Sequence, residues 1–158
     1  MRDVFSWAVR HGVSQDAVGE LLSILDPGRP SAPAGDDASE AAVQSSLMLE
    51  AARRGGALWR NNSGACTDDR GRMVRYGLGN TSAKLNKFFK SSDLIGVTPT
   101  QMSDGSIVGV FTAIEVKSPG WTQRPGDDRA RAQAAYLNTV RAMGGIGKFA
   151  QSVKDIFP

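Results

Sequence analysis

The stretch that decides the fold is Val110-Phe111-Thr112-Ala113-Ile114-Glu115-Val116-Lys117-Ser118-Pro119-Gly120. Its apolar run leads into Glu115 and Lys117, which are two positions apart and therefore lie on one face of a strand. Pro119-Gly120 ends that strand directly afterwards. An acid and an amine on one face at the end of a strand are unusual if these side chains only pack against the core. They predict a site in which Glu115 holds a cation and Lys117 orients a water or steadies an anion.

A second apolar run, Leu94-Ile95-Gly96-Val97, begins directly after Asp93. If this run pairs antiparallel with residues 107–117 through a turn at Ser103-Asp104-Gly105, Asp93 returns beside Glu115. Two carboxylates in a small space repel each other unless a divalent cation lies between them, and oxygen ligands suit Mg²⁺ or Mn²⁺. The alternative is that these acids and Lys117 form ordinary ion pairs at the surface, which is the more frequent role of each residue taken singly.

The rest of the chain alternates between helix and strand signals, which predicts an α/β fold with a central mixed β-sheet flanked by helices. The predicted strands are 57–60, 93–98, 107–117 and 146–150. The predicted helices are 39–54, which Ser39 or Asp37 can cap, and 128–143, which Asp127 or Asp128 can cap, with a short tail helix at 152–157. Met143, at the end of the second helix, is expected to pack against the sheet. Residues 64–91 have little periodicity and are expected to form a long loop with a weak helix near 81–89.

The N-terminal segment is predicted to be an appendage to this body. Residues 3–11 and 15–25 have helical spacing, with Ser14 able to cap the second helix, and together they suggest a helical hairpin. Proline, glycine and small residues make 27–38 a linker. The expected organisation is therefore a helical extension at 1–26, the linker, and a main domain at 39–158. The hairpin is expected to pack on that domain or on a second subunit.

The charge is distributed unevenly along the 158 residues, although the net charge is only +3. Residues 1–40 contain three Arg against seven Asp and Glu, a balance of −4, and residues 41–158 have a balance of +7. Nucleic acid is the natural partner of the basic part, whereas the acidic hairpin is unsuited to phosphate contact. The single cysteine, Cys66, excludes an internal disulfide and a cysteine-rich zinc site. No apolar run approaches the roughly 18 residues of a membrane span, so we expect a cytoplasmic protein.

Four blocks of sequence together resemble one nuclease family. The spacing Asp93…Glu115-Val116-Lys117 resembles the PD-(D/E)XK nuclease superfamily. Three further blocks, Ser39-Glu40-Ala41-Ala42-Val43-Gln44, Trp59-Arg60-Asn61-Asn62-Ser63-Gly64-Ala65 and Arg131-Ala132-Gln133, narrow the resemblance to its VRR-NUC branch. The resemblance covers about residues 38–151 and implies a restriction-endonuclease-like fold for the main domain.

The resemblance implies roles for six residues. Asp93, Glu115, the Val116 carbonyl and Glu40 are expected to hold Mg²⁺ or Mn²⁺, with Lys117 and Gln133 completing the catalytic set. Without the resemblance, Glu40 is an ordinary acid in the first turn of a helix, and Gln133 is an ordinary helix surface residue. Glu50 lies near the far end of the same helix, so we expect it to pair with Arg53 or Arg54.

The basic stretch before Asp93 is the predicted DNA-contacting segment. Aromatic residues are interleaved with its basic residues, and Phe88 and Phe89 are equally consistent with DNA contact and with packing into the core. Trp121, in the loop 118–127, is expected to anchor that loop, with base stacking as the alternative. The predicted DNA contacts are Arg60, Asn61, Asn62, Arg72, Arg75, Lys84 and Lys87.

The expected function is a metal-dependent DNA endonuclease. VRR-NUC proteins that stand alone are similar to Holliday-junction resolvases, tend to be two-fold dimers and are frequent in bacteriophages. The resemblance therefore implies a homodimer that acts on branched DNA in a bacterial host cytoplasm. The alternatives are a non-catalytic DNA-binding or assembly subunit of the same fold, a flap or duplex nuclease, and a sequence-specific restriction enzyme.

Overall fold

The computed structural model describes residues 4–14, 17, 18, 20, 21 and 39–157. The predicted linker 27–38 and most of the predicted helix 15–25 lie outside the described residues. The helices are α1 (Val4–Arg10), α2 (Glu40–Arg53), α3 (Ala83–Asn86) and α4 (Asp128–Ala142), and Val153–Asp155 is a 3-10 turn. The strands are β1 (Ala57–Arg60), β2 (Gly64–Thr67), β3 (Met73–Tyr76), β4 (Leu94–Gln101), β5 (Ile107–Val116) and β6 (Ile146–Ala150).

The central sheet has the strand order β1-β4-β5-β6 and is mixed. β1 pairs with β4 and β4 with β5 in antiparallel orientation, whereas β5 and β6 are parallel. The turn between β4 and β5 lies where it was predicted, and the Asp104 carboxylate accepts hydrogen bonds from the backbone and hydroxyl of Ser106. Gly105 has a φ of 83°, a conformation that favours glycine. The structure thus confirms a mixed α/β architecture.

The two faces of the sheet have separate cores, one under each long helix. On one face, Leu58, Leu94, Ile114 and Val116 pack against the α2 residues Val43, Leu47, Met48 and Ala51. On the other face, Ala113 packs against Tyr136, Leu137 and Val140 of α4. Because strand side chains alternate between faces, β5 contributes to both cores.

Both long helices begin at the predicted caps. Ser39 accepts a hydrogen bond from the Ala42 amide, and Asp127 accepts one from the Ala130 amide. The prediction that Met143 packs against the sheet was wrong, because α4 ends at Ala142 and the Met143 side chain is 75% exposed. Gly144, with a φ of 85°, turns the chain away from the helix axis.

The prediction of one long loop over 64–91 was wrong, because a two-stranded hairpin of β2 and β3 occupies its first half. Asp68 forms the turn by accepting hydrogen bonds from the amides of Arg70 and Arg72. Both strands are short and mostly exposed, so they lack the alternation of apolar and polar residues that reveals a half-buried strand. In the second half, the weak helix signal corresponds to the single turn of α3.

The N-terminal helix packs on the main domain, since α1 contacts α2 and Ala8 is fully buried. The Ser14 hydroxyl accepts a hydrogen bond from the Ala17 amide, as predicted for a helix cap. Residues 17, 18, 20 and 21 are helical. Within the described part of the chain, no helix combines the length and the apolar character needed to cross a bilayer.

Candidate active site

The pairing of β4 with β5 brings Asp93 beside Glu115. Leu94 is the partner of Ile114 in the antiparallel register, so the residue before Leu94 lies opposite the residue after Ile114. The Asp93 carboxylate accepts a hydrogen bond from the Val116 amide at 3.0 Å. Asp93 therefore lies beside Glu115, as the sequence predicted, and it is also tied to the backbone of the strand that holds this second acid.

Glu115, Lys117 and Gln133 form one buried hydrogen-bonded group. The Lys117 Nζ donates to Glu115 Oε1 at 2.9 Å and to Gln133 Oε1 at 3.1 Å. Gln133 Nε2 also donates to Glu115 Oε1, so both donors use the same carboxylate oxygen. The other oxygen, Oε2, is buried and has no hydrogen-bond partner among the described residues.

The charge on Glu115 is unfavourable in this environment. Its side chain is 1% exposed, and its pKa is raised from the ordinary value of 4.5 to about 7, chiefly by burial. The negative charge of Asp93 contributes to this increase, while the amine of Lys117 partly opposes it. A buried carboxylate with one unpartnered oxygen and a second acid beside it has the electrostatic character of a cation site.

Local structure explains why these side chains meet. Glu115 is on the same face of β5 as Ala113, and that face is covered by α4. Lys117, directly after the strand, continues the alternation onto the same side. Gln133 lies on the buried side of α4, one turn before Leu137, so it faces the strand rather than solvent. The alternative that Gln133 is a surface residue is thus wrong.

Aromatic rings line one side of the lysine. Lys117 Nζ lies 5.4 Å from the ring centroid of Trp121 and 5.9 Å from that of Phe149. The Trp121 ring packs against Phe149 with the centroids 5.1 Å apart, and its carbonyl accepts a hydrogen bond from Gln151 Nε2. Trp121 therefore anchors its loop, and its contact with the ammonium adds a cation–π interaction that helps to hold Lys117.

The oxygen ligands present fit a hard divalent cation. The unpartnered Oε2 of Glu115 and the carboxylate of Asp93 are the acidic donors, and the predicted third donor is the carbonyl of Val116. Glu40 is exposed at the start of α2, where it accepts a 3.4 Å hydrogen bond from Ser118, the residue after Lys117. Among residues 4–14 and 39–157, no three Asp, Glu, His or Cys side chains are grouped closely enough to hold a metal. The metal-ligand role predicted for Glu40 therefore stays a prediction.

A polar cavity of about 590 Å³ opens in front of Asp93. Its lining includes two cations, Lys90 and Arg129. Lys90 lies in the basic stretch predicted to contact DNA, but neither residue was named as a specific site residue. Burial and the repulsion of Arg129 lower the pKa of Lys90, while Glu115 and Asp93 act in the opposite direction. A signal for both existed in the sequence, because Lys90 is three residues before Asp93 and Arg129 is one turn before Gln133 on the same helix.

Asn61, a predicted DNA contact, is used within the chain. Its Nδ2 donates to the Ser91 hydroxyl at 3.0 Å and to the Ser92 carbonyl at 2.8 Å, and its Oδ1 accepts from the Leu78 amide. Its own amide donates to the Asp93 carbonyl. Asn61 therefore positions the segment that leads into Asp93, while its neighbour Asn62 is exposed at the polar cavity.

The predicted basic contacts are dispersed rather than gathered at the acids. Arg72 forms an ion pair with Asp68 in the β2–β3 turn, and Arg75 donates to the Asn80 side chain. Arg60 is half-buried on β1 opposite Leu94. Lys84 and Lys87 are both exposed near α3, and Lys87 lines a second cavity beside α4.

Comparison with known proteins returns no relative for this chain, since no protein family, curated protein or solved structure matches it.

Proposed function

We propose that this protein is a metal-dependent DNA endonuclease of the VRR-NUC branch of the PD-(D/E)XK superfamily. The observation that supports this best is the buried Glu115 carboxylate, whose Oε2 has no partner among the described residues and which lies beside Asp93. Lys117, two residues further along, and Gln133 complete the group. A β4–β5 hairpin with β6 parallel to β5 and helices on both faces is consistent with a restriction-endonuclease-like fold.

The residues present fit Mg²⁺ or Mn²⁺, held by Asp93, Glu115 and the Val116 carbonyl, with Glu40 as the predicted further ligand from α2. When bound, such an ion neutralises the phosphate and lowers the pKa of a water from roughly 15.7 towards neutrality. The hydrogen bond from the Val116 amide holds the Asp93 carboxylate in place at 3.0 Å. Preorganisation of this kind avoids reorienting the ligand during the reaction.

Lys117 supplies positive charge next to the acidic pair. Hydrogen bonds to Glu115 and Gln133 and the two aromatic rings fix its ammonium, so it can position a water or stabilise the negative charge that develops on the phosphate. Gln133 orients both side chains, because its amide donates to the acid and its carbonyl oxygen accepts from the amine. A protein that merely binds DNA gains nothing from clustered acids, which repel phosphate.

The proposed substrate is branched DNA, and the proposed assembly is a homodimer. A four-way junction needs paired nicks on opposed strands, and a two-fold dimer presents two equivalent sites for them. The test is to incubate the full chain and Mg²⁺ or Mn²⁺ with labelled linear duplex, flap, single-stranded and four-way-junction DNA. Symmetric nicks confined to the junction support the resolvase. Cuts at one sequence in plain duplex identify a restriction enzyme, and no cleavage of any substrate favours the non-catalytic subunit.

Variants of the site test the residue roles in the same assay. Asp93→Asn and Lys117→Ala should lower the cleavage rate by at least about 10²-fold while DNA binding persists, because each removes a group that acts on the reacting phosphate. Asp69→Asn is the matched control, since it removes one exposed carboxylate outside the site and should cut like the wild type. Wild-type cleavage by either site variant would contradict the assignment.

A further inference from the structure

A second cavity, of about 820 Å³, continues from the polar cavity in front of Asp93. It lies between the segment after α3 and the first two turns of α4. Lys90 and Arg129 line both cavities, so the two meet at this pair of cations. We call the combined feature the α3–α4 groove. Its further lining includes Asn86, Lys87, Phe88, Asp128, Arg131 and Ala132.

The α3–α4 groove is positively charged. Asp128 forms an ion pair with Arg131, so the charges of these two residues cancel in the net charge of the groove. Neither Lys87 nor Arg129 forms an ion pair with any residue that the structure describes. Arg129 repels the nearby Lys90 and helps to lower its pKa, so the groove would gain from an anion between them. A chain of phosphates has the complementary charge.

Phe88 is held outward at the edge of this groove. Its side chain is 70% exposed, whereas the adjacent Phe89 packs edge-to-face on Tyr136 with the ring centroids 5.3 Å apart. The amides of Phe88 and Phe89 both donate to the Leu85 carbonyl at 2.9 Å, which fixes the backbone that presents the exposed ring. Of the two phenylalanines, Phe89 therefore belongs to the core and Phe88 is available to a ligand.

We propose that the α3–α4 groove binds an unpaired strand of nucleic acid, with Phe88 stacking on a base and Lys87 and Arg129 contacting phosphates. Bases in a paired duplex are stacked on one another, so an aromatic side chain can reach a base face where the strand is unpaired. The groove leads from Phe88 past Arg129 to the cavity in front of Asp93. The inference rests on the proposed function in placing this strand next to the bond that is cut, and it makes unpaired DNA beside the branch a determinant of specificity.

Binding without divalent cations tests the groove separately from cleavage. The full chain is titrated into a fluorescent duplex with an unpaired oligo-dT extension and into the blunt duplex of the same paired sequence. Phe88→Ala should weaken binding of the extended duplex roughly tenfold and leave the blunt duplex within about twofold. Phe88→Tyr, which keeps the aromatic face, should bind like the wild type, and Phe88→Leu should behave like Phe88→Ala.

The charge contribution has its own readout. Lys87→Ala should reduce the slope of log affinity against log salt concentration for the extended duplex by about 0.7, the value expected for one phosphate contact on a single strand. Lys154→Ala is the charge-matched control, because Lys154 is exposed in the tail that packs on the α2 side of the sheet. Met143→Ala is the control for an exposed apolar side chain elsewhere. Both controls should leave the slope and the affinity unchanged.

Three results would overturn this inference: wild-type affinity of Phe88→Ala for the extended duplex, an equal loss of affinity for the blunt duplex, or an equal slope change in Lys87→Ala and Lys154→Ala. The proposed function fails independently. If the chain binds the extension through Phe88 but cuts no DNA, the groove proposal stands and the nuclease proposal fails. If the chain cuts DNA with no dependence on Phe88, the nuclease proposal stands and the groove proposal fails.

Discussion

At the C-terminal end of β5, the two faces of the strand are both buried and have opposite chemistry. Ile114 and Val116 face α2 and contact apolar side chains throughout. Glu115, between them in sequence, faces α4 and shares its environment with the ammonium of Lys117 and the amide of Gln133. Glu115 is as fully buried as Ile114 and Val116, so burial stabilises the apolar side chains whereas the carboxylate pays for desolvation.

This difference indicates that the polar side chains on the α4 side of β5 do not serve to stabilise the fold. Hydrogen bonds to Lys117 and Gln133 compensate one oxygen of Glu115, and the second oxygen stays buried without a described partner. Replacing buried ionic groups with apolar residues of similar volume is often neutral or stabilising in proteins. A strand that keeps such a group beside Asp93 is consistent with selection for chemistry at this position.

The largest expected effect is the separation of activity from stability on the polar face. The triple variant Glu115→Leu, Lys117→Met and Gln133→Leu should lose cleavage by at least about 10²-fold. Its free energy of unfolding, measured with urea, should equal that of the wild type or exceed it by about 1–4 kcal/mol, because no buried charge remains. A much less stable triple variant would show that the network stabilises the fold.

Ile114→Ala, on the face of β5 that packs against α2, should lower the stability of the protein and change cleavage little. The side chain is fully buried among apolar neighbours, so its truncation should lower the free energy of unfolding by about 2–5 kcal/mol. Cleavage at a temperature where the variant remains folded should change far less than in the triple variant. A destabilisation well under 1 kcal/mol would contradict the assignment of the core to the α2 face.

The polar face should also make the free energy of unfolding depend on pH, because it contains Glu115. This effect is smaller than those of the variants above. The pKa of Glu115 is about 7 in the folded protein and 4.5 as its ordinary value, so between these pH values the folded state binds a proton that the unfolded state has released. The stability contributed by Glu115 should therefore be fully present below pH 4.5, fall as pH rises towards 7, and be lost above that. Without divalent cations, the fall should be on the order of 3 kcal/mol.

Urea midpoints at several pH values measure this fall, and Glu115→Gln should abolish it. Asp155→Asn is the control, because hydrogen bonds from the Gln151 and Ser152 amides lower the pKa of Asp155. Its contribution is lost as pH falls below its ordinary value of 3.8, outside the Glu115 window. A wild-type stability that is flat between pH 4.5 and 7 would show that the carboxylate of Glu115 is better solvated than its burial implies.

The smallest expected effect concerns a surface ion pair of nearly the same length as the buried one. Glu50 and Arg54 are 2.8 Å apart on α2, compared with 2.9 Å for Glu115 and Lys117. Glu50→Ala should lower the free energy of unfolding by about 0.2–1 kcal/mol and leave cleavage unchanged, since water screens the exposed pair. A larger loss would mean that ion-pair distance matters here more than surroundings do.

The main elements could be predicted because their signals are local. An apolar run that leads into Glu115 and Lys117 predicted β5. Ser39 and Asp127 were candidate caps that marked the starts of α2 and α4, and Asp104-Gly105 marked the turn between β4 and β5. The β2–β3 hairpin was missed because its exposed strands have no buried face. The outward Phe88 and inward Phe89 are adjacent in sequence, and their opposite orientations depend on the packing of Phe89 on Tyr136.

The sequence by itself determined the meeting of Asp93 and Glu115, because a tight turn and a period of two residues leave one register that buries the apolar residues of both strands. Tertiary structure decided the environment of those acids. Docking of α4 brought Gln133 onto the Glu115 oxygen that Lys117 also contacts, and it placed Arg129 next to Lys90. Such contacts join residues far apart along the chain, and desolvation and charge repulsion arise when packing excludes water between them.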